Sequence, residues 1–234
     1  INVQCGSTYL EPLRALVAEC GADVGIAHDG DADRVMLMDS EGNEIDGDMV
    51  EAVCAIDLKQ RGLLAGDTAV STVMANLGLT HALRDAGINL IQTKVGDRYV
   101  LEAMREGGYV IGGEQSGHTI FLEHNSTGDG LVTALQFLAA CKRAGKSAGE
   151  AAKAMTRFPQ TLINVRVKDK HAADGNQAIA DAVAAAEAAL GEDGRVLLRP
   201  SGTEPVVRVM VEAMDAQAAE QHAKAIAEVV EREI

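Results

Sequence analysis

Three short loops in this sequence carry residues able to do chemistry. The first is His28-Asp29-Gly30-Asp31-Ala32-Asp33-Arg34. Asp29, Asp31 and Asp33 alternate with small residues, so the backbone can curl and aim three carboxylates at one point. Two such charges about 4 Å apart repel by about 4 kcal/mol at an effective dielectric of about 20. A hard divalent cation relieves this. Oxygen ligands suit Mg²⁺, which keeps open positions for water or phosphate, and Arg34 then stands ready to hold that phosphate. An EF-hand is excluded, because it needs Gly at its sixth position and Glu at its twelfth; Arg34 and Ser40 stand there. A solvated acidic turn is the plain alternative, and Asp31-Ala32-Asp33-Arg34-Val35 also fits the D-x-D-x-V pattern of aspartate-nucleophile phosphatases.

The second loop is Gly112-Gly113-Glu114-Gln115-Ser116-Gly117-His118, a polar turn between two apolar stretches. Glu114 and Ser116 offer an acceptor and a hydroxyl suited to sugar hydroxyls. The glycines allow close backbone approach, and His118 is able to move a proton near neutral pH. A tight hairpin with a structural His explains the same residues equally well. The third loop is Arg199-Pro200-Ser201-Gly202-Thr203-Glu204-Pro205, followed by Arg208. Hydroxyls, backbone N–H groups and flanking arginines make an anion cradle, which lacks the Walker pattern. An exposed Pro-Gly turn is its alternative. Lys94-Val95-Gly96-Asp97-Arg98 is a weaker candidate at a strand-to-helix junction, a usual ligand position in parallel α/β folds; there Asp97 reads as a helix cap. His28, His81, His124, His171 and His222 show no mutual metal spacing and read as surface or packing residues.

The elements that must position these loops alternate in type. A short helix over Pro12 to Cys20 ends at Gly21, a C-cap candidate. Asp23 to His28 and Arg34 to Asp39 read as strands, with a turn at Glu41-Gly42-Asn43. Asp48 to Gln60 reads as a helix. Two strand–helix pairs follow, Thr68 to Met74 with Leu79 to Asp85, and Asn89 to Lys94 with Asp97 to Glu106. Then come strands at Tyr109 to Gly112 and His118 to Leu122, and a helix at Asp129 to Arg143. This predicts an α/β fold with a mixed, mostly parallel sheet sandwiched by helices. After Phe158-Pro159 the pattern changes. Strands at Thr161 to Lys168, Arg195 to Arg199 and Val206 to Glu212, with helices at Gln177 to Leu190 and Ala216 to Glu233, predict a separate small α+β domain of order β-α-β-β-α. Its boundary falls near residue 158. A second boundary near Gly47 leaves the first 46 residues too short for a core of their own.

Composition narrows the partners. The chain has 234 residues, 21 Lys plus Arg against 35 Asp plus Glu, and a formal net charge of −14. That balance argues against non-specific nucleic-acid binding, and no apolar run is long enough for a membrane span. Apolar residues make up 47%, enough for a sizeable core, so a wholly disordered chain is ruled out. Cys5, Cys20, Cys54 and Cys141 are scattered without a C-x-x-C pair, which predicts reduced thiols in a cytoplasmic protein.

Taken in order, D-G-D-A-D-R, G-G-E-Q-S-G-H and R-P-S-G-T-E-P resemble three signature loops of the α-D-phosphohexomutase superfamily. I-N-V-Q-C-G-S-T at the start and S-T-G-D-G at Ser126 to Gly130 extend the likeness across essentially the whole chain. K-V-G-D-R-Y-V with G-T-E-P and R-V-M-V-E resembles the bacterial phosphoglucosamine mutase branch rather than the phosphomannomutase branch. The resemblance implies a four-domain enzyme with a central cleft and one loop from each domain. Residues 1–46 would be the end of its second domain, 47–158 the third and 159–234 the fourth.

By that likeness Asp29, Asp31 and Asp33 hold Mg²⁺, while Glu114, Ser116 and Lys94 serve a phosphorylated hexosamine. Arg199, Ser201, Gly202 and Thr203 bind its distal phosphate, with Arg208 a helper, and the catalytic assignments are Arg34 and His118. Ala32 stands where the superfamily often has Gly; the added methyl is expected to leave metal binding intact. The superfamily's phosphoserine lies in a S-A-S-H-N or T-A-S-H-N segment, which does not occur in this sequence. The expectation is therefore a C-terminal piece, inactive alone, whose partners are the missing N-terminal domains of the same protein; a homodimer stays open. A phosphomannomutase or phosphoglucomutase, an aspartate-nucleophile phosphatase and a non-catalytic phosphosugar-binding fragment are the alternatives.

Overall fold

The computed structural model describes residues 3–201 and 204–234. The chain divides into two compact units, one up to Thr156 and one from Arg157 on.

The first unit opens with helix α1 (Glu11–Cys20), which carries Pro in its first turn and ends at left-handed Gly21. Strands β1 (Val24–His28), β2 (Val35–Asp39) and β3 (Glu44–Ile45) form an antiparallel sheet in the order β1-β2-β3. His28 pairs with Val35, so residues 29–34 form a closed hairpin loop. Asp39 shapes the next turn by accepting bonds from the Glu41 and Asn43 N–H groups, both at 2.9 Å.

Helix α2 (Gly47–Gln60) starts on Asp46, whose carboxylate accepts from Met49 N–H at 3.1 Å. It is buried along most of its length because it lies inside the core rather than on it. Around it run β4 (Thr68–Thr72), α3 (Leu77–Asp85), β5 (Asn89–Thr93), α4 (Asp97–Gly107), β6 (Ile111–Gly113), β7 (Thr119–Phe121), α5 (Gly130–Ala144) and α6 (Ala148–Ala152). The four strands make one sheet in the order β5-β4-β6-β7, parallel except for the last pair. All five residues of β4 are buried, as expected for a strand covered on both faces. Leu79, Leu83, Ile111 and Phe137 pack in the larger core. Val70, Val100, Met104 and Ile120 pack in a second core that involves α4. This is the expected mixed, mostly parallel sheet between helices.

The second unit has strands β8 (Gln160–Arg166), β9 (Gly194–Pro200) and β10 (Val206–Ala213), all antiparallel in the order β8-β10-β9. Helices α7 (Gln177–Leu190) and α8 (Ala216–Glu233) pack with its apolar side chains, with Val207, Val209, Val211, Ile179, Ile226 and Val230 in the core. The expected β-α-β-β-α order is present. The short elements β3 and α6 carry too few residues to show a period, which is why patterning missed them.

Candidate active site

The acidic loop between β1 and β2 does bring its carboxylates together. One oxygen each from Asp29, Asp31 and Asp33 lies within 4.8 Å of the others. Ala32 makes this curl at a φ of 60°, a conformation that costs an L-residue about 1–2 kcal/mol. Gly would be unstrained at this position. Arg34 stays local: its N–H donates to Asp29 Oδ1 at 3.2 Å and its Nε lies 3.8 Å from Asp29 Oδ2. Burial, and then the neighbouring Asp29, push the Asp33 carboxyl above its ordinary range; His118 opposes them. Asp33 Oδ1 is buried without a partner. An oxygen-only donor set of crowded carboxylates, one with an orphaned oxygen, fits a hard divalent cation.

The second loop reaches this place through the backbone. Val35 N–H donates to Gly117 O at 3.1 Å, and Arg34 forms an antiparallel bridge with His118. Gly117 has a φ of 93°, and a Cβ there would sit 2.2 Å from Val35 O, so Gly is required. The turn closes with Gly117 N–H on Glu114 O and Glu114 N–H on His118 O, both at 2.9 Å. His118 is 3% exposed; its Nε2 lies 3.4 Å from Asp33 Oδ2 and 3.8 Å from Asp97 Oδ2. The imidazole thus joins the acidic loop to the hairpin and to the first turn of α4.

Glu114 Oε1 accepts from Gly96 N–H at 3.1 Å, which ties the hairpin to the K-V-G-D-R segment. Ser116 lies exposed at the hairpin tip, and Lys94 is exposed at the end of β5. Asp97 is not the cap of α4: Gly96 occupies that position without a side-chain bond, and Asp97 faces His118 instead. Gln115 Nε2 donates to Asp48 Oδ2 at 3.1 Å, and Gly47 N–H donates to Gln115 O at 3.1 Å.

Sequence reading assigned no role to the glycines around the start of α5. Gly130 N–H donates to Ala32 O at 2.9 Å. A Cβ on Gly128 would meet His118 Nε2 at 2.3 Å, and one on Gly130 would meet His28 Nδ1 at 2.6 Å. Asp129 between them caps α5 through Val132 N–H at 3.0 Å. The one available signal was the Gly-Asp-Gly spacing at a helix start. His28, read as a packing residue, does pack there, with Nδ1 3.2 Å from Arg34 O.

In the second unit, Arg199 on β9 and Arg208 on β10 stand directly opposite each other. Burial, and then Arg208, hold the Arg199 guanidinium below its ordinary value. Arg208 reaches Glu204 at 3.5 Å, while its Nε is buried without a partner. Ser201 is buried; its N–H donates to Val206 O at 2.9 Å and its Oγ accepts from Glu204 N–H at 3.3 Å. Lys170, which the sequence reading missed, donates to Ser201 O at 2.6 Å. Gly202 and Thr203 lie outside the described residues. Arg199 and Arg208 thus set two guanidinium groups near each other in an acidic chain.

The family description "Phosphoglucomutase/phosphomannomutase, alpha/beta/alpha domain III" matches residues 46–158, and "Phosphoglucomutase/phosphomannomutase, C-terminal domain" matches 162–229. The chain belongs to this phosphohexomutase family. A phosphoglucosamine mutase of Frankia alni is 58% identical over 98% of this chain and 50% of its own length. One from a Thermoanaerobacter species is 54% identical over 100% of this chain and 53% of its own. This phosphohexomutase chain therefore spans about half the length of the curated relatives it matches. Among solved structures, an Aspergillus fumigatus N-acetylphosphoglucosamine mutase, in complex with GlcNAc-6P and magnesium, shares the fold. Its TM-score is 0.80 at 21% identity, over 98% of this chain and 57% of that one. Among the described residues, no helix is long and apolar enough to cross a membrane.

Proposed function

We propose that this chain supplies the metal, sugar and phosphate loops of a cytoplasmic phosphoglucosamine mutase. The whole protein would interconvert glucosamine 6-phosphate and glucosamine 1-phosphate through a phosphoserine and a bisphosphate intermediate. That reaction serves UDP-N-acetylglucosamine and cell-wall precursor synthesis. The observation that carries the reading is the meeting of Asp29, Asp31 and Asp33 with His118 of the Glu114 hairpin. Support comes from relatives of that name at 54–58% identity. In this proposal residues 1–46 close the family's second domain, 47–158 form the third and 159–234 the fourth.

The residues divide the work. Asp29, Asp31 and Asp33 would hold Mg²⁺, which neutralises charge on phosphoryl oxygens when bound. Arg34, braced by Asp29, presents a cation beside that charge. Glu114, Ser116 and Lys94 bind the sugar, and Arg199, Ser201, Gly202, Thr203 and Arg208 hold the phosphate at its far end. His118 orients Asp33 and stands as the proton carrier. The phosphoserine comes from the N-terminal half, so the chain alone is expected to be inactive. Two like phosphate ends on one sugar explain how a bisphosphate can turn over and be held again.

The test combines this chain with an N-terminal half carrying the phosphoserine and assays the interconversion. The expected result is mutase activity that Asp31→Ala abolishes, together with loss of Mn²⁺ binding by the variant chain. Full activity in Asp31→Ala refutes the metal assignment. An aspartyl-phosphate trapped on the chain alone would favour the phosphatase reading. Glucosamine 6-phosphate binding without turnover, with both halves present, would favour a binding fragment.

A further inference from the structure

Glu51 lies on α2, inside the core of the first unit, with no part of it reached by solvent. Neither carboxyl oxygen has a hydrogen-bond partner as placed. Among the described residues, no cation acts on it. Asp48, one turn earlier on the same helix, is a second acid, and it is the one charged group whose field reaches Glu51 among the described residues. Asp48 is itself held as an acceptor by Asn76 N–H at 2.7 Å and Gln115 Nε2 at 3.1 Å. The neighbouring titratable group on the helix is the buried Cys54 thiol, which offers no cation. From β6, the Cβ position of Gly113 lies 3.4 Å from Glu51 Oε2 and 3.2 Å from Thr119 Oγ1 of β7. From β4, the Ser71 hydroxyl acts on the carboxyl in the opposite sense, favouring the ionised form, but it is the weakest of the three influences after burial and Asp48.

Ser71 is a weak counterweight. Its single hydroxyl hydrogen has the Gly113 carbonyl at 3.0 Å as a competing acceptor, so its oxygen is free to accept whenever that bond is made. A carboxylate beside it sets lone pairs against lone pairs; a carboxylic acid donates and completes a chain. An isolated buried carboxylate is costly enough to take up a proton instead. We infer that Glu51 is a neutral carboxylic acid in the folded chain and a positioning residue. Its O–H turns to Ser71, and Ser71 holds Gly113 at the root of the Glu114 hairpin. That this hairpin binds sugar rests on the function proposed above; the protonation of Glu51 does not.

Burial, reinforced by Asp48, holds the Glu51 proton well above the ordinary value of 4.5. The folded chain then keeps a proton that the unfolded chain has released, so folding weakens as pH rises. The experiment compares the whole chain with Glu51→Gln, whose amide can also donate to Ser71. Infrared spectra of ¹³C-glutamate-labelled protein at pH 7 should show one protonated carboxyl band, absent in the variant. The ratio of the two unfolding constants should change about tenfold per pH unit above the ordinary Glu value, in favour of the variant, until Glu51 itself ionises. Ser71→Ala should move the Gly113 and Glu114 amide resonances, whereas Glu51→Gln leaves them near their positions. Parallel pH profiles, or no protonated band in the unaltered chain, overturn the inference; the band alone decides if Glu51→Gln does not fold. The mutase assay plays no part in this test, so its failure and that of the mutase reading remain distinct.

Discussion

Gly117→Ala is the sharpest test of how the acidic loop and the hairpin are joined. The backbone there has a φ of 93°, and the new methyl would lie 2.2 Å from the Val35 carbonyl oxygen. A left-handed backbone costs an L-residue about 1–2 kcal/mol. The methyl meets main chain rather than a flexible side chain, so overpacking adds about 1–3 kcal/mol. Relieving the clash pulls Gly117 O from Val35 N–H, now 3.1 Å away, which loses about 1 kcal/mol more. The sum is about 3–6 kcal/mol, a large share of the roughly 5–15 kcal/mol available to a domain. Urea unfolding followed by circular dichroism should show a lower midpoint with an unchanged slope. Mn²⁺ affinity should fall as well, because His118 is the next residue and holds Asp33. A loss below about 1 kcal/mol with unaltered Mn²⁺ binding would refute the argument.

Two further outcomes follow from other parts of the chain. Arg199→Met removes one of two facing cations, so affinity for inorganic phosphate should drop about tenfold, equivalent to 1.4 kcal/mol. Stability should hold or rise, since like-charge repulsion is relieved; calorimetric titration and a thermal melt check both. Asp57 should give the opposite pH behaviour to Glu51. Burial raises its carboxyl, but Arg143, bonded twice at 2.7 Å, and Arg61 outweigh that and leave it below the ordinary 3.8. Asp57→Asn should cost about 1 kcal/mol at pH 7, discounted because Arg143 is partly exposed. That difference should shrink as pH falls below 3.8, because a depressed carboxyl stabilises only while ionised.

Much of the framework was legible because it depends on local rules. The helices at Gln177 to Leu190 and Ala216 to Glu233 match their expected limits, since Asn176 and Asp215 cap their starts and the apolar period runs unbroken. The acidic loop was legible because alternation of Asp with small residues permits one compact curl. The role of Asp97 was not: capping is its local preference, and only the arrival of His118 from a distant strand gives it another. Gly128 and Gly130 were equally silent, because a glycine's purpose is set by what lies where its Cβ would be.

The sequence by itself determined the elements, the alternation of helix and strand, and the chemical types at each loop. These follow from capping, periodicity and charge, all of which act over a few residues. Only the tertiary structure decided that His118 meets Asp33, that Lys170 grips Ser201 and that Glu51 is buried with its carboxyl oxygens unpartnered. Each of these depends on groups far apart along the chain, where sheet register and helix packing, not local preference, set the distance.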